Sequence, residues 1–199
     1  MSRRKTGRAR GFTLVETMVA ITILAFGMLG VAALMSQMSG NSTESRYMSE
    51  EALLASEKLE YLSQLPSDDP GIAASSGTAG SLTSDTSQSV TSGGVTQNVD
   101  YFDQVQTSAG NGSIIETTTA PNGSGGTQYT TITHAPDGSV TSVTSATAPS
   151  NPDMVTFKRR WVIEQDVPVT GVRRITVLVT LQSAVAGQSA TFQTSMVRP

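Results

Sequence analysis

The 199-residue chain has no cysteine and a single histidine, His134. The first absence excludes a disulfide framework, a CxxC redox pair and thiolate metal sites. It leaves the compartment open, because many exported proteins also lack cysteine. One histidine makes a His-based metal site or catalytic dyad improbable. Aromatic residues make up 5% of the chain, with one tryptophan, so a large core is not expected. Asp68, Asp69, Asp100, Asp103 and Asp137 do not form a spaced calcium loop. No nucleophile–base set or phosphate-binding loop occurs, so the sequence implies neither an enzyme nor a resident cofactor.

Charge is unevenly placed. The formal net charge is −3, from 13 Lys and Arg against 16 Asp and Glu. Five of those cations, Arg3, Arg4, Lys5, Arg8 and Arg10, precede Gly11, leaving 8 cations against 16 acids, or −8, in the remainder. Phosphate contacts need clustered Lys and Arg, so bulk charge disfavours a nucleic-acid partner. A local patch at Lys158, Arg159 and Arg160, beside Trp161, keeps that partner open. The reading preferred there is an exposed edge with Trp161 turned inward, and Arg173 and Arg174 are candidates to enlarge the patch across a hairpin. His134, next to a turn, is expected to be a solvent-exposed loop residue.

What is present is one long apolar run. From Met18 to Met35 only Thr22, Gly27 and Gly30 interrupt it, and no charged residue falls between Glu16 and Glu44. Eighteen residues at ~1.5 Å each nearly cover a ~30 Å hydrocarbon core. The basic flank before the run predicts a cytoplasmic N-terminus and an exported remainder. Glu16 is the anomaly, since a carboxylate at mid-bilayer costs about 2.5–3.5 kcal/mol on insertion scales, and less near an interface.

The helical pattern continues beyond the span. Met48, Ala52, Ala55, Leu59 and Leu62 follow a 4-3-4-3 spacing, which predicts one apolar stripe, with Glu50, Glu51, Glu57, Lys58 and Glu60 on the other faces. The helix should stop at Leu65 because Pro66 disfavours helical geometry before it. The intervening "SQMSGNSTES" is rich in poor helix formers, which predicts a flexible joint or weakly held helix. Residues 71–150 are rich in Ser, Thr and Gly, a composition suited to long loops, disorder or thin edge hairpins. Within them "NVDYFDQV" reads as one strand, and "QYTTITHAPDGSVTSVT" as two strands around Pro136-Asp137-Gly138.

The last fifty residues predict three short antiparallel strands, "MVTFKRRWVIEQ", "GVRRITVLVTLQS" and "SATFQTSMVR". Ile175, Val177, Val179 and Leu181 share one face of the second, and Ala190, Phe192 and Met196 one face of the third. The helical stripe is the cover available to them, so the expected fold is α+β, a long N-terminal helix packed on a small antiparallel sheet. Five regions follow: a basic leader over 1–11, a transmembrane helix over 12–35, an amphipathic helix over 36–65, a variable region over 66–150 and a C-terminal sheet over 151–199.

Gly11-Phe12-Thr13-Leu14-Val15-Glu16, after a basic leader and before an apolar helix, resembles the type III signal of type IV prepilins. A cleaved secretory signal or an ordinary signal anchor explains the apolar run but not Glu16. The resemblance implies a pilin-like fold, cleavage by prepilin peptidase between Gly11 and Phe12, and N-methylation of the new Phe12 amine. It also implies that Glu16 meets the Phe12 ammonium of a neighbouring subunit in a filament core, a pairing that makes two costly charges tolerable and sets the stagger. Its partners would be prepilin peptidase, other major and minor pilins, an inner-membrane assembly platform, and membrane lipid before assembly.

"ILAFGMLGVAALM" and "KRRWVIEQDVPVTGVRRITVLVT" look most like the PilV-type minor pilins, which implies a structural subunit that helps prime a pilus. The alternatives are a minor pseudopilin of type II secretion and a filament-tip adhesin or DNA-uptake subunit. Major pilins commonly carry a helix-kinking proline, but none lies between Phe12 and Leu65. Gly27 and Gly30 are the candidates for helix softening, each costing ~1 kcal/mol relative to Ala.

Overall fold

The computed structural model describes residues 13–74, 77–108, 112–122, 125–150, 154–182 and 190–199. The basic leader, Gly11 and Phe12 lie outside these residues. The chain divides into two compact units, Met1–Thr43 and Glu44–Pro199. Helix α1 spans Leu14–Gln64, ending one residue before the expected stop. It runs helically through "SQMSGNSTES", where a joint or weak helix was expected. Within it the Thr43 hydroxyl donates to the Ser39 carbonyl four residues back, at 3.0 Å. The boundary between the two units falls inside this stretch.

After α1 come a short 3-10 turn at Pro70–Ile72 and ten strands: β1 (Thr78–Gly80), β2 (Ser87–Ser92), β3 (Val95–Asp100), β4 (Phe102–Thr107), β5 (Ile114–Pro121), β6 (Thr127–His134), β7 (Val140–Ser145), β8 (Val155–Gln165), β9 (Arg173–Leu181) and β10 (Thr191–Arg198). Eight of them form one antiparallel sheet in the order β10-β9-β8-β4-β5-β6-β7, with β1 pairing the far end of β8, while β2 and β3 make a separate hairpin. The three C-terminal strands lie where the sequence predicts them. The sheet is larger than expected because the Ser/Thr-rich middle contributes β1 and β4–β7. Threonine and valine suit a pleated surface even where little is buried.

"NVDYFDQV" is not one strand. Tyr101 breaks it, its amide donating to Thr86 O at 2.9 Å and its carbonyl accepting from the Trp161 amide at 3.1 Å. β3 and β4 therefore fall in different sheets. The β6–β7 hairpin is as predicted, with Gly138 at φ 83° and the Ala135 amide donating to Ser139 O at 2.9 Å. His134 ends β6, half-buried and paired with Ile114 and Val140, so it is a strand residue rather than an exposed loop residue.

Within the Glu44–Pro199 unit, α1 packs on the sheet and completes an α+β fold of pilin-like type. Its buried residues are Glu51, Leu54, Ala55, Leu59 and Leu62. Ala55, Leu59 and Leu62 of the expected stripe are buried, but Met48 is 44% exposed, whereas Glu51, expected on a polar face, is 0% exposed. The core joins these to Ile72, Tyr101, Val105, Phe157, Trp161 and Ile163 and to the β9 face of Ile175, Val177 and Val179. Arg198, on the last strand, donates to the free carbonyls of Leu62 and Leu65 at 3.2 and 2.9 Å and so caps the helix C-terminus.

One glycine is sterically required. Gly80 has φ +84°, and a Cβ there would meet Trp161 O at 2.3 Å and the Tyr101 side chain at 2.8 Å. Gly80→Ala should destabilise the headgroup by about 2–4 kcal/mol, because positive φ and a backbone clash act together. Denaturant unfolding followed by Trp161 fluorescence checks this, and an unchanged midpoint would contradict it.

Candidate functional site

Beyond Thr13, the described residues of the N-terminal unit are the start of α1 and are mostly apolar. Thr13 precedes α1 and its Oγ1 accepts from the Glu16 amide at 3.3 Å, half of a Thr-x-x-Glu capping box. The acid in the first turn also suits the positive end of the helix dipole. Thr17 and Thr22 donate to Leu14 O and Met18 O, both at 2.8 Å, so their hydroxyls need no outside partner.

α1 is long and apolar enough to cross a membrane, and its apolar window is 0% buried within the chain. Leu14, Phe26 and Met38 each expose more than 70% of their surface. Surface of this extent on a helix marks contact with lipid or other helices. Gly27 and Gly30 lie inside the helix, and a Cβ at either would meet nothing within 4 Å. Gly27 also floors a shallow groove with Ile23, Leu24, Met28 and Val31.

The headgroup carries a charge cluster that the sequence did not reveal. Arg159 lies on the inner face of β8, with its side chain 1% exposed. Its Nε and Nη2 donate to Asp103 Oδ1 and Oδ2 at 2.7 and 2.8 Å, and Nη2 also donates to Glu116 Oε1 at 2.7 Å. Lys58 of α1 donates to Asp103 Oδ2 at 3.0 Å and stands 4.0 Å from the Trp161 ring centroid. Glu57 Oε2 approaches Arg159 Nη1 at 3.8 Å, too far for a hydrogen bond. Burial opposes both charges of the central pair, and their partners outweigh it. Lys58 and Arg159 hold the Asp103 carboxyl below the usual carboxylate range, and Asp103 with Glu116 pushes the Arg159 guanidinium above its usual value. Beside the cluster, Tyr61, Ile132, His134 and Val140 help to line a cleft of about 450 Å³.

The candidate basic surface patch at Lys158, Arg159 and Arg160 is not formed, and this segment is not the exposed edge preferred for it either. β8 is a central strand, so successive residues point to opposite faces. Arg159 enters the core with Trp161, which is 5% exposed as expected. Lys158 and Arg160 share Asp85 on the other face, Arg160 Nε at 2.9 Å from it. Arg173 and Arg174 sit at the far end of the β8–β9 hairpin, opposite Gln165 and Glu164, and do not extend a patch. Arg174 pairs with Glu164 at 2.7 Å, and Arg173 donates to Ser67 O at 2.7 Å.

Glu51 is a buried group that the sequence does not reveal, because a carboxylate beside Glu50 reads as part of a polar face. It is fully buried with both carboxyl oxygens lacking a well-placed hydrogen-bond donor. Burial pushes its carboxyl up to about 7, and the Leu181 backbone amide, itself directed at Ala190 O, offsets only part of this.

The chain thus combines an exposed apolar helix of membrane-spanning length, with Glu16 in its first turn, and an α+β unit over Glu44–Pro199. The family model of the prokaryotic N-terminal methylation motif matches residues 6–32, which supports a type IV prepilin-like N-terminal segment. Comparison with curated proteins and with solved structures gives no match.

Proposed function

We propose that the protein is a minor type IV pilin, most similar to the PilV type, that takes part in pilus assembly as a structural subunit. The observation that carries the reading is the methylation motif on a helix whose apolar window is wholly exposed, with Glu16 in the first turn. In this reading prepilin peptidase cuts between Gly11 and Phe12 and the Phe12 amine is methylated. α1 first anchors the chain in the inner membrane, its N-terminus cytoplasmic and its headgroup periplasmic, and then joins a filament's helical core. Glu16 pairs there with the Phe12 ammonium of a neighbouring subunit, and Gly27 and Gly30 give the helix local softness. A minor pseudopilin of a type II secretion system shares every one of these features and differs in the machine served.

Glu16→Ala should leave membrane insertion intact and reduce incorporation into sheared filaments at least tenfold, because it removes one charge of the staggered pair. Immunoblotting of membrane and sheared fractions checks this. Full incorporation of the variant would remove the assigned role of Glu16. Intact mass of the membrane-extracted protein tests the processing step, with a methylated Phe12 as the expected first residue. A chain that keeps Met1 would contradict it. Release of the protein into sheared pili, rather than its retention in the inner membrane, separates pilus from pseudopilus.

A further inference from the structure

β7 is an edge of the eight-stranded sheet and pairs only with β6 among the described residues. Sheet edges are commonly blocked by charge, proline, glycine bulges or very short strands. β7 has none of these. It is Val140-Thr141-Ser142-Val143-Thr144-Ser145, six exposed residues in unbroken register with β6. All six are β-branched or small and uncharged.

The hairpin geometry shows which backbone groups are free. The Ala135–Ser139 pair is hydrogen-bonded, Ala135 N to Ser139 O at 2.9 Å. Antiparallel pairs alternate, so His134–Val140 is non-hydrogen-bonded, Thr133–Thr141 bonded, and Ile132–Ser142 non-hydrogen-bonded. The amides and carbonyls of Val140, Ser142 and Thr144 therefore point away from β6 into open space. Three outward amides and three outward carbonyls in alternation match one kind of occupant, an extended main chain.

We propose that the β7 edge is a strand-addition site for an extended segment of a partner polypeptide that carries net positive charge around an uncharged, β-branched stretch. The side-chain preference follows from the neighbours. Val140 exposes 60% of its surface on the inner face and Val143 61% on the outer face, so apolar residues on both faces of the added strand would pack across from them. The charge preference follows from the headgroup, which over residues 44–199 holds 8 Lys and Arg against 15 Asp and Glu, a net −7. That field attracts a cationic segment and disfavours a second copy of this chain.

The test uses the full-length protein in detergent micelles and a synthetic peptide of alternating valine and threonine with two lysines at each end. Amide hydrogen exchange is measured residue by residue. The expected result is that Val140, Ser142 and Thr144 amides slow at least ~10-fold with peptide, while Thr141 and Val143, already bonded to β6, change little. A glutamate-ended version of the peptide should bind at least ~10-fold more weakly at low salt. Ser142→Pro removes an outward amide without removing a bond to β6, and should abolish the protection. Unchanged Trp161 emission shows that this variant is folded, and Ser142→Lys, which repels the lysine-ended peptide, provides a second block. Absence of protection in the wild-type chain, or protection that survives both variants, overturns the proposal. Protection that rises with protein concentration and needs no peptide also overturns it, in favour of pairing between copies.

Discussion

Asp103→Ala is expected to destabilise the headgroup by about 3–5 kcal/mol, the range for a buried charge stripped of its partner. The substitution removes three hydrogen bonds at once, two from Arg159 and one from Lys58. Arg159, 1% exposed, would keep only Glu116 as a bonded carboxylate, and Lys58, 13% exposed, would lose its one short ion pair. The guanidinium cannot escape by deprotonation, because arginine keeps its proton throughout the accessible pH range. Replacing Asp103 and Arg159 together by leucine and methionine should recover at least half of the loss, since a buried ion pair and an apolar pair of similar volume are often nearly equivalent. Equilibrium unfolding of the full-length protein in micelles, followed by Trp161 fluorescence, measures both. A single variant within about 0.5 kcal/mol of the wild type, the range of a surface change, would mean that Asp103 is not the buried counter-charge.

The second large effect concerns pH. Glu51 has a folded-state value raised to about 7 from 4.5. A group raised on folding contributes stability that is fully present below the unfolded value and is lost as pH rises through the folded one. Below pH 4.5 the buried carboxyl is neutral in both states. Between 4.5 and 7 the unfolded chain ionises while the folded one resists, and above 7 the folded state carries a buried, unpaired charge. Each unit corresponds to about 1.4 kcal/mol, so the penalty at pH 8 is about 3–3.5 kcal/mol. Glu51→Gln removes the titration and keeps the shape. The variant should match the wild type near pH 4.5 and exceed it by that amount at pH 8. Parallel stability curves for the two proteins between pH 5 and 8 would show that Glu51 is not held neutral by the fold.

Opposite signs at two acids of one headgroup follow from what lies beside each. Asp103 has two cations within hydrogen-bonding distance and stays ionised. Glu51 has no hydrogen-bond partner on either carboxyl oxygen and faces a backbone amide already directed elsewhere, so burial dominates. The contrast also locates the fragile part of the unit. Both acids are contacted by or lie on the 51–58 stretch of α1, so loss of either balance acts on how the helix seats against the sheet.

The local pattern of the chain determined the elements whose signal is carried by neighbouring residues. An eighteen-residue, mostly apolar run with charge only outside it specifies a helix that does not need the rest of the protein, because helical hydrogen bonds close within a few residues. The motif around Glu16 is likewise contiguous. So are the β6–β7 turn, where Pro136, Asp137 and Gly138 act within one hairpin, and the alternating face of β9. The α+β class follows from these elements because an apolar helical stripe and apolar strand faces must cover one another.

Only the tertiary structure decided which residues meet across long separations. Arg159 and Asp103 are 56 positions apart and Lys58 and Asp103 are 45 apart, and no local rule links them. The run Lys158-Arg159-Arg160 looks like a basic patch in one dimension. A strand paired on both sides divides it, sending Arg159 inward and its neighbours outward. The burial of Glu51 and Leu54, with Met48 left exposed at the start of the helical stripe, has the same origin. Apolar periodicity fixes a stripe to within about one residue, or 100° on a 3.6-residue helix, and packing against β8 and β9 chooses the residue. Strand order could not be read either, because threonine and serine give β5, β6 and β7 almost no difference between faces, and register is weakly specified where neither face is apolar. Pairing, not hydrophobic pattern, placed those strands and left β7 with an open edge.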